Sequence, residues 1–202
     1  MDFATKFIPT NSRTQLPRLL TIKGRSPDLL VVKHDQRYHR GVALTSENFM
    51  ANTYTQLYIQ FVFSICGRQN LIRESFRNEL EKIMCGIVTN QKCKLYAIYC
   101  NPDHTHLFIG MHPSISPSKL MEQVKSGSSK WLNEKKHIVG KFSLQNGFGA
   151  FTYSKSHIDQ VVKYVLNQPV HHKNQSFREE YMLLLEKFEI EYIPKYLFEW
   201  YD

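Results

Sequence analysis

The sequence predicts an α+β fold: a ferredoxin-like split βαβ unit with an antiparallel sheet and helices on one face, plus a C-terminal tyrosine-bearing helix. Two observations carry this prediction. From Met50 onward, segments that alternate like strands are interleaved with segments whose apolar residues recur at helical spacing. Their order is β-α-β-β-α-β-α-α, and its first six elements are those of the split βαβ motif.

Four segments have the β-branched and aromatic composition that is typical of strands. The second and third strands are separated only by the turn formers Asn101, Pro102 and Asp103. Strands joined this tightly form an antiparallel hairpin. The four predicted strands span residues 54–65, 93–100, 104–111 and 147–154.

The predicted helices begin at polar residues that can cap a helix N-terminus. One of them stops at a proline, which lacks the N–H that a helix interior needs. The predictions are Asn70 capping 71–88, Ser116 or Ser118 capping a helix to about Leu132, Ser156 capping 157–168 before Pro169, and a last helix over roughly 176–188.

Residues 1–49 differ from the rest of the chain. They contain scattered proline, glycine and arginine residues and no sustained hydrophobic period, so we expect an N-terminal extension that is mostly irregular. The patterned domain would then cover residues 50–202. One hypothesis is that the native chain starts at Met50, which N-terminal sequencing would test.

The charge of the chain suits a partner that carries phosphates, either a nucleic acid or an anionic membrane. The formal net charge is +8 and the pI is about 9.3. Residues 50–178 carry a net +9, whereas residues 179–202 carry a net −5. We therefore expect the middle of the chain to bind phosphates and the acidic C-terminal end not to contact them.

The sequence also indicates a cytoplasmic protein. It has no apolar run of membrane-spanning length and no signal-peptide core. Its four cysteines lack paired CxxC spacing, so we interpret them as reduced thiols in or near the core rather than as a zinc site.

Two histidines open the third predicted strand. His104 and His106 are two residues apart, so their side chains project from the same face of the sheet. Imidazole is a common metal ligand, but a single His-x-His pair is more often two polar residues at a strand end. Tyr164 and Gln168 are four residues apart and share one face of the predicted third helix.

Five segments stand out along the patterned region: HTH at 104–106, KSGSSKWL at 125–132, NGFGAFTYS at 146–154, YVLNQPVHHK at 164–173 and the closing FREEYMLLLEKFEIEY at 177–192. Together they resemble the single-tyrosine HUH transposases of the smallest bacterial insertion sequences, the transposase A type that is kin to the REP-associated tyrosine transposases. The resemblance covers about residues 50–200. Thr105 departs from the family pattern, which usually has a bulky hydrophobe between the histidines.

The resemblance assigns roles to four residues. His104, His106 and Gln168 would bind a divalent metal, Mg²⁺ or Mn²⁺, and Tyr164 would be the nucleophile. The implied reaction cleaves and rejoins single-stranded DNA at hairpin-marked element ends through a 5′-phosphotyrosine. Family members act as homodimers in which a tyrosine helix can complete the partner's site, and no membrane partner is expected.

The remaining candidates stay open between a functional and a structural interpretation. For the residues of KSGSSK there are two alternatives: they contact DNA phosphates and hairpins, or they form a solvated helix face. For the histidines after Pro169 we favour an exposed linker. The residues concerned are Lys125, Ser128, Ser129 and Lys130 in the first case, and His171 and His172 in the second.

Two other functions compete with transposition. A related HUH nuclease recruited by its host for repeat processing would have the same motifs. A non-catalytic RNA-recognition-like module would share the ferredoxin-like sheet but needs aromatic residues paired on its central strands. Tyr96 and Tyr99 face opposite sides of their predicted strand, which argues against the second alternative.

Overall fold

The computed structural model describes residues 54–67 and 70–200, and the predicted extension over residues 1–49 lies outside them. The described residues form four strands and five helices. The strands are β1 Tyr58–Ser64, β2 Lys94–Cys100, β3 His104–Gly110 and β4 Gly149–Tyr153. The helices are α1 Glu74–Asn90, α2 Pro117–Lys135, α3 Ile158–Leu166, α4 Gln168–His171 and α5 Phe177–Lys187.

The strands form one sheet in the order β2-β3-β1-β4, and all neighbours are antiparallel. The hairpin β2–β3 is the one predicted from its three-residue turn. In the centre of the sheet, Val62 on β1 lies opposite His106 on β3. This topology confirms the predicted α+β fold with split βαβ connectivity.

Strand alternation gives the sheet two faces with different cover. We call the face that carries Phe61 and Leu107 the apolar face, and α1 and α2 pack on it. We call the opposite face, which carries Gln60 and His106, the site face. Helices α3 and α5 pack there, so the tyrosine-bearing helix covers the side that the two long helices leave free.

The α2 and α5 caps agree with the sequence, but the predicted α1 cap is wrong. Ser116 accepts a hydrogen bond from the Lys119 N–H at 3.2 Å, and Ser176 forms a capping box at α5. Asn70 instead has a left-handed backbone with φ of 54°, and Arg73 occupies the α1 cap position. Because α1 starts only at Glu74, the Asn70 side chain lies too far back to reach its first free N–H groups.

The predicted limits of the tyrosine-bearing helix also need correction. Ser156 lies inside a short 3-10 turn over 155–157, and α3 begins after it at Ile158. Pro169 does not stop α3, which already ends at Leu166. It lies in the first turn of α4, where a helix does not need the missing N–H.

Two further expectations concern membrane-spanning helices and the state of the cysteines. Among residues 54–67 and 70–200, none of the helices has the length and apolar character needed to cross a bilayer. All four cysteines are free thiols. Cys93 and Cys100 are buried and Cys85 is partly buried, as expected for thiols in or near the core, whereas Cys66 is exposed and does not fit that expectation.

Candidate active site

The two predicted metal-binding histidines lie side by side at the start of β3, on the site face. Both are fully buried, and their ring centroids are 5.0 Å apart. Since β3 is an interior strand of the sheet, its neighbours hold the backbone of His104 and His106 rigidly. The alternation rule that predicted a shared face is confirmed.

Polar neighbours orient both rings. Nδ1–H of His104 donates to Asp103 Oδ1 at 2.7 Å, while Asn101 Nδ2 donates to Nε2 of the same ring at 2.9 Å. Gln60 Nε2 donates to His106 Nδ1 at 2.9 Å. A histidine that ligates a metal typically donates its other ring N–H to a carboxylate or a carbonyl, which is the arrangement of His104 Nδ1 and Asp103.

The predicted nucleophile and third ligand reach the same place from the end of α3. The rings of Tyr164 and His106 have centroids 5.8 Å apart. Gln168 is fully buried, and its Oε1 accepts from Asn101 Nδ2 at 3.0 Å. A break at Asn167 separates α3 from α4, so the predicted uninterrupted helix through Gln168 is wrong although the two side chains do converge.

A residue that the sequence did not single out lies at the centre of this group. Glu180 on α5 is 2% exposed. Its Oε1 accepts hydrogen bonds from the Tyr164 hydroxyl and from Gln168 Nε2, the latter at 2.7 Å. This carboxylate therefore joins the nucleophile candidate to the predicted amide ligand.

The other oxygen of the same carboxylate faces three imidazoles. Glu180 Oε2 lies 3.2 Å from Nε2 of His106, 3.1 Å from Nε2 of His172 and 3.5 Å from Nε2 of His104. One ligand atom from each of these four residues lies within 4.8 Å of all the others. The group thus has the composition and the spacing of a site for a divalent cation.

One sequence expectation fails at this point. His172 is not part of an exposed linker, because its side chain is only 18% exposed and points into the cluster. The acidic C-terminal region supplies Glu180 to this cluster, and its predicted lack of phosphate contacts stays a prediction. The sequence did contain a signal for Glu180. On α5, Phe177, Tyr181 and Leu184 form an apolar stripe at helical spacing, and Glu180 lies next to Tyr181 on the same side of the helix.

The charges of the cluster are coupled. Burial alone would raise the pKa of Glu180, but the charge of His106 and the contacts with His104 and His172 hold it far below its usual range. Burial, followed by the negative charge of Glu180, raises the pKa of Tyr164 far above its usual value. At neutral pH the site therefore contains an ionised carboxylate and a protonated phenol.

The two histidines of β3 respond differently. Burial lowers the pKa of His106, and the nearby Glu180 only partly opposes this. Burial also acts to lower the pKa of His104, but its hydrogen bonds to Asp103 and Glu180 raise it overall. His106 is therefore the ring that more readily stays neutral, as a metal ligand must.

The predicted DNA-contacting residues lie elsewhere, on α2 over the apolar face. Lys125 Nζ donates to the backbone carbonyls of Gln145 and Gly147, which fixes the loop before β4. Ser128 is fully buried and donates to the Val124 carbonyl of its own helix. A direct DNA contact by Ser128 is therefore wrong, because its hydroxyl has neither access to solvent nor a free proton.

The other two residues of that set remain accessible. Lys130 is exposed and lies 3.8 Å from Glu134 in a surface ion pair, which leaves its ammonium group open to solvent. Ser129 is half-buried. The structure does not bring either residue to the histidine cluster, which lies on the opposite face of the sheet.

Comparison with known proteins gives the family. The family model described as "Transposase IS200 like" matches residues 53–168, more than half of the chain. The match includes every strand of the sheet and ends at Gln168, so His172 and Glu180 lie beyond it. No curated protein matches the chain.

Two solved structures are similar to the described fold. One is a protein of Deinococcus radiodurans R1 assigned as a transposase, with 19% identity, a TM-score of 0.48, and coverage of 60% of this chain and 98% of that one. The other is a REP-associated tyrosine transposase bound to a REP hairpin, with 13% identity, a TM-score of 0.47, and coverage of 62% and 74%. On the family match over residues 53–168, the chain belongs to the IS200-like transposase family.

Proposed function

We propose that the protein is a metal-dependent transposase that acts in the bacterial cytoplasm. It cleaves and rejoins single-stranded DNA at hairpin-marked element ends through a 5′-phosphotyrosine. The observation that carries this proposal is the convergence of Tyr164 with His104, His106 and Gln168 in one buried group, although β3 and α3 are some 60 positions apart in the sequence.

The residues present suit a divalent metal. Asp103 holds the proton of His104 on Nδ1, which leaves Nε2 for a metal. For His106 to ligate through Nε2, its proton moves to Nδ1, and the Gln60 amide turns so that its oxygen accepts that proton. Gln168 adds a hard amide oxygen. A bound Mg²⁺ or Mn²⁺ would withdraw charge from the scissile phosphate and orient it.

Tyr164 performs the covalent step. Its phenol oxygen attacks phosphorus and forms an O–P bond, while the bond from phosphorus to the 3′-oxygen breaks. The phenol loses its proton and the departing 3′-oxygen gains one, so charge is conserved. Rejoining is the reverse reaction, in which a 3′-hydroxyl attacks the phosphotyrosine. Because the ester keeps the energy of the original bond, no nucleotide cofactor is needed.

The hydrogen bond between Tyr164 and Glu180 supports this role. It fixes the phenol oxygen beside the carboxylate that also faces the histidines. The nucleophile is thereby oriented before DNA binds, which removes part of the entropic cost of reaching the transition state. For DNA binding we retain Lys125, Ser129 and Lys130 as phosphate contacts.

The covalent intermediate gives the direct test. The full chain is incubated with Mn²⁺ and labelled single-stranded hairpins taken from the DNA that flanks its own gene. We expect a covalent complex on a denaturing gel with the wild type, and none with Tyr164→Phe, which still binds the hairpin on a native gel. Tyr196→Phe is the control, because Tyr196 is 73% exposed and removing its hydroxyl leaves the Tyr164 phenol in place. An adduct that persists in Tyr164→Phe would refute the assignment.

The oligomeric arrangement needs a separate experiment. The family likeness implies a homodimer, and we propose that each tyrosine acts at the histidines of its own chain, because Tyr164 already lies beside His106 within one chain. Mixing Tyr164→Phe with His106→Ala should then give no adduct. An adduct that appears only in the mixture would show that the tyrosine acts in the partner's site.

A further inference from the structure

We propose that Glu180 and His172 are themselves ligands of the divalent metal, together with His104 and His106. The centre would then contain three imidazoles and one carboxylate, and it would carry a negative charge before the metal binds. This inference deepens the proposed function, because it concerns the metal of the same site. It rests on that function only for the presence of a metal.

The orientation of His172 is the first argument. Its Nδ1 lies 2.9 Å from the backbone oxygen of Gln175, and because a carbonyl oxygen can only accept, Nδ1 carries the proton. In the neutral ring, Nε2 therefore presents a lone pair. That atom is buried without a hydrogen-bond partner, and it lies 3.1 Å from Glu180 Oε2. Two electron-rich atoms this close repel each other unless a cation lies between them.

His104 repeats the pattern. Its Nδ1–H donates to Asp103, and its Nε2 accepts from Asn101 Nδ2, so Nε2 carries a lone pair and no proton. This nitrogen is 3.5 Å from the same oxygen of Glu180. Two imidazoles from different elements, β3 and the segment after α4, thus place unprotonated nitrogens beside one carboxylate oxygen.

The distances fit a metal centre. In a complex with bonds of about 2.1 Å, neighbouring ligand atoms are about 3.0 Å apart in octahedral geometry and about 3.4 Å apart in tetrahedral geometry. The three imidazole Nε2 atoms lie 3.1, 3.2 and 3.5 Å from Glu180 Oε2. The carboxylate oxygen thus lies at or near a ligand–ligand distance from all three imidazoles, and no two of the four ligand atoms are more than 4.8 Å apart.

The carboxylate changes what the centre can bind. Two imidazoles and one amide form a neutral set with weak affinity for a hard divalent ion, whereas an added carboxylate supplies charge and an oxygen ligand. Oε1 of Glu180 stays bonded to Tyr164 and Gln168, so the same residue ties the metal to the nucleophile.

A different role for Glu180 makes the opposite prediction. The carboxylate could be only a counter-ion for protonated histidines, which a metal must displace. Removing its charge would then leave metal affinity unchanged or increase it. If Glu180 is a ligand, removing its charge lowers the affinity. The sign of the change therefore decides between the two roles.

The experiment measures Mn²⁺ binding to the full chain without DNA, by isothermal titration calorimetry. Glu180→Gln keeps the shape of the side chain and removes its charge. His172→Asn keeps an N–H for the Gln175 carbonyl and removes Nε2. Glu186→Gln, at an exposed position of α5, controls for net charge, and His112→Asn, beyond the opposite end of β3 from the cluster, controls for the loss of an imidazole. Circular dichroism and the Tm of each variant establish that it is folded.

We expect one Mn²⁺ per chain in the wild type. Glu180→Gln and His172→Asn should each bind at least tenfold more weakly, and both controls should stay within about twofold of the wild type. Unchanged or tighter binding by Glu180→Gln would overturn the inference for Glu180, and unchanged binding by His172→Asn would overturn it for His172. A wild type without saturable Mn²⁺ binding would overturn both.

The readout is independent of DNA cleavage. A protein that binds Mn²⁺ through Glu180 but forms no covalent adduct would contradict the proposed function and leave this inference standing. A protein that forms the adduct, but whose Mn²⁺ affinity does not change in Glu180→Gln, would support the proposed function and contradict this inference. Measuring the Tyr164→Phe variant as well shows whether loss of the nucleophile leaves the metal affinity intact.

Discussion

Both faces of the sheet are buried, but they differ in the side chains at their centres: Phe61 and Leu107 on the apolar face, Gln60 and His106 on the site face. Gln60 and Phe61 are neighbours on β1, both are fully buried, and alternation sends them to different sides. On the apolar face, burial is favourable in itself because it removes hydrocarbon from water. On the site face, each buried polar group costs free energy unless it has a partner. Burial therefore stabilises one face and must be offset by hydrogen bonds on the other.

The faces also differ in where their partners come from. The apolar face packs against α1 and α2, which flank the strands in the split βαβ order. On the site face, the partner of His106 is Glu180, 74 residues further along the chain. The site is therefore complete only once α5 has docked, whereas the apolar core needs only the βαβ unit.

The largest expected effect is a loss of stability on the apolar face. Phe61→Ala leaves a cavity beneath α1 and α2, and we expect it to lower the free energy of unfolding by about 3–5 kcal/mol. Urea unfolding followed by circular dichroism measures this. The Mn²⁺ affinity of the folded fraction should stay within about twofold of the wild type. A tenfold loss of affinity would show that the two faces are coupled.

The sequence predicted the faces because strand period is a local property. Alternation alone placed His104 and His106 together, and the capping serines Ser116 and Ser176 marked the starts of α2 and α5. The predicted caps Asn70 and Ser156 were wrong because a residue caps a helix only if the helix begins directly after it. The tertiary packing of the first turn decides where that is.

The sequence places Glu180 beside the apolar stripe of α5, but that position alone does not predict its role, because its burial depends on what α5 packs against. A glutamate beside an apolar stripe is usually solvated, and only contacts from β3, α3 and α4 make this one interior. The same holds for His172, whose environment is set by a hydrogen bond to Gln175 and by the position of α5. Local sequence patterns therefore miss those ligands of a metal site that come from distant elements.

A smaller effect is expected one residue away, on the site face. Gln60 donates to His106 Nδ1 and accepts from the Tyr153 hydroxyl at 2.8 Å. Burial raises the pKa of Tyr153 to about 12, so at neutral pH this hydroxyl keeps its proton and needs an acceptor. Gln60→Leu removes both bonds at similar volume, and we expect a loss of about 1–3 kcal/mol of stability.

Gln60→Leu should differ from Phe61→Ala in what else it changes. Because Gln60 orients a predicted ligand, Mn²⁺ affinity should fall about 10–100-fold by calorimetry. Adding Tyr153→Phe removes the hydroxyl that Gln60→Leu leaves without a partner. The loss of unfolding free energy in the double variant should therefore be smaller than the sum of the losses in the two single variants. Unaltered Mn²⁺ affinity in Gln60→Leu would mean that the site face does not depend on this hydrogen bond.

The smallest effect comes from two helix caps that are alike in chemistry but lie on opposite faces. Ser116 and Ser176 each accept from a backbone N–H three residues ahead, at 3.2 and 3.3 Å. Replacing either with alanine should cost about 1 kcal/mol in urea unfolding. Only Ser176→Ala should also weaken Mn²⁺ binding, because Glu180 lies four residues beyond that cap and shares the turn that would fray. Equal Mn²⁺ affinities in the two variants would show that the docking of α5, rather than its cap, positions the carboxylate.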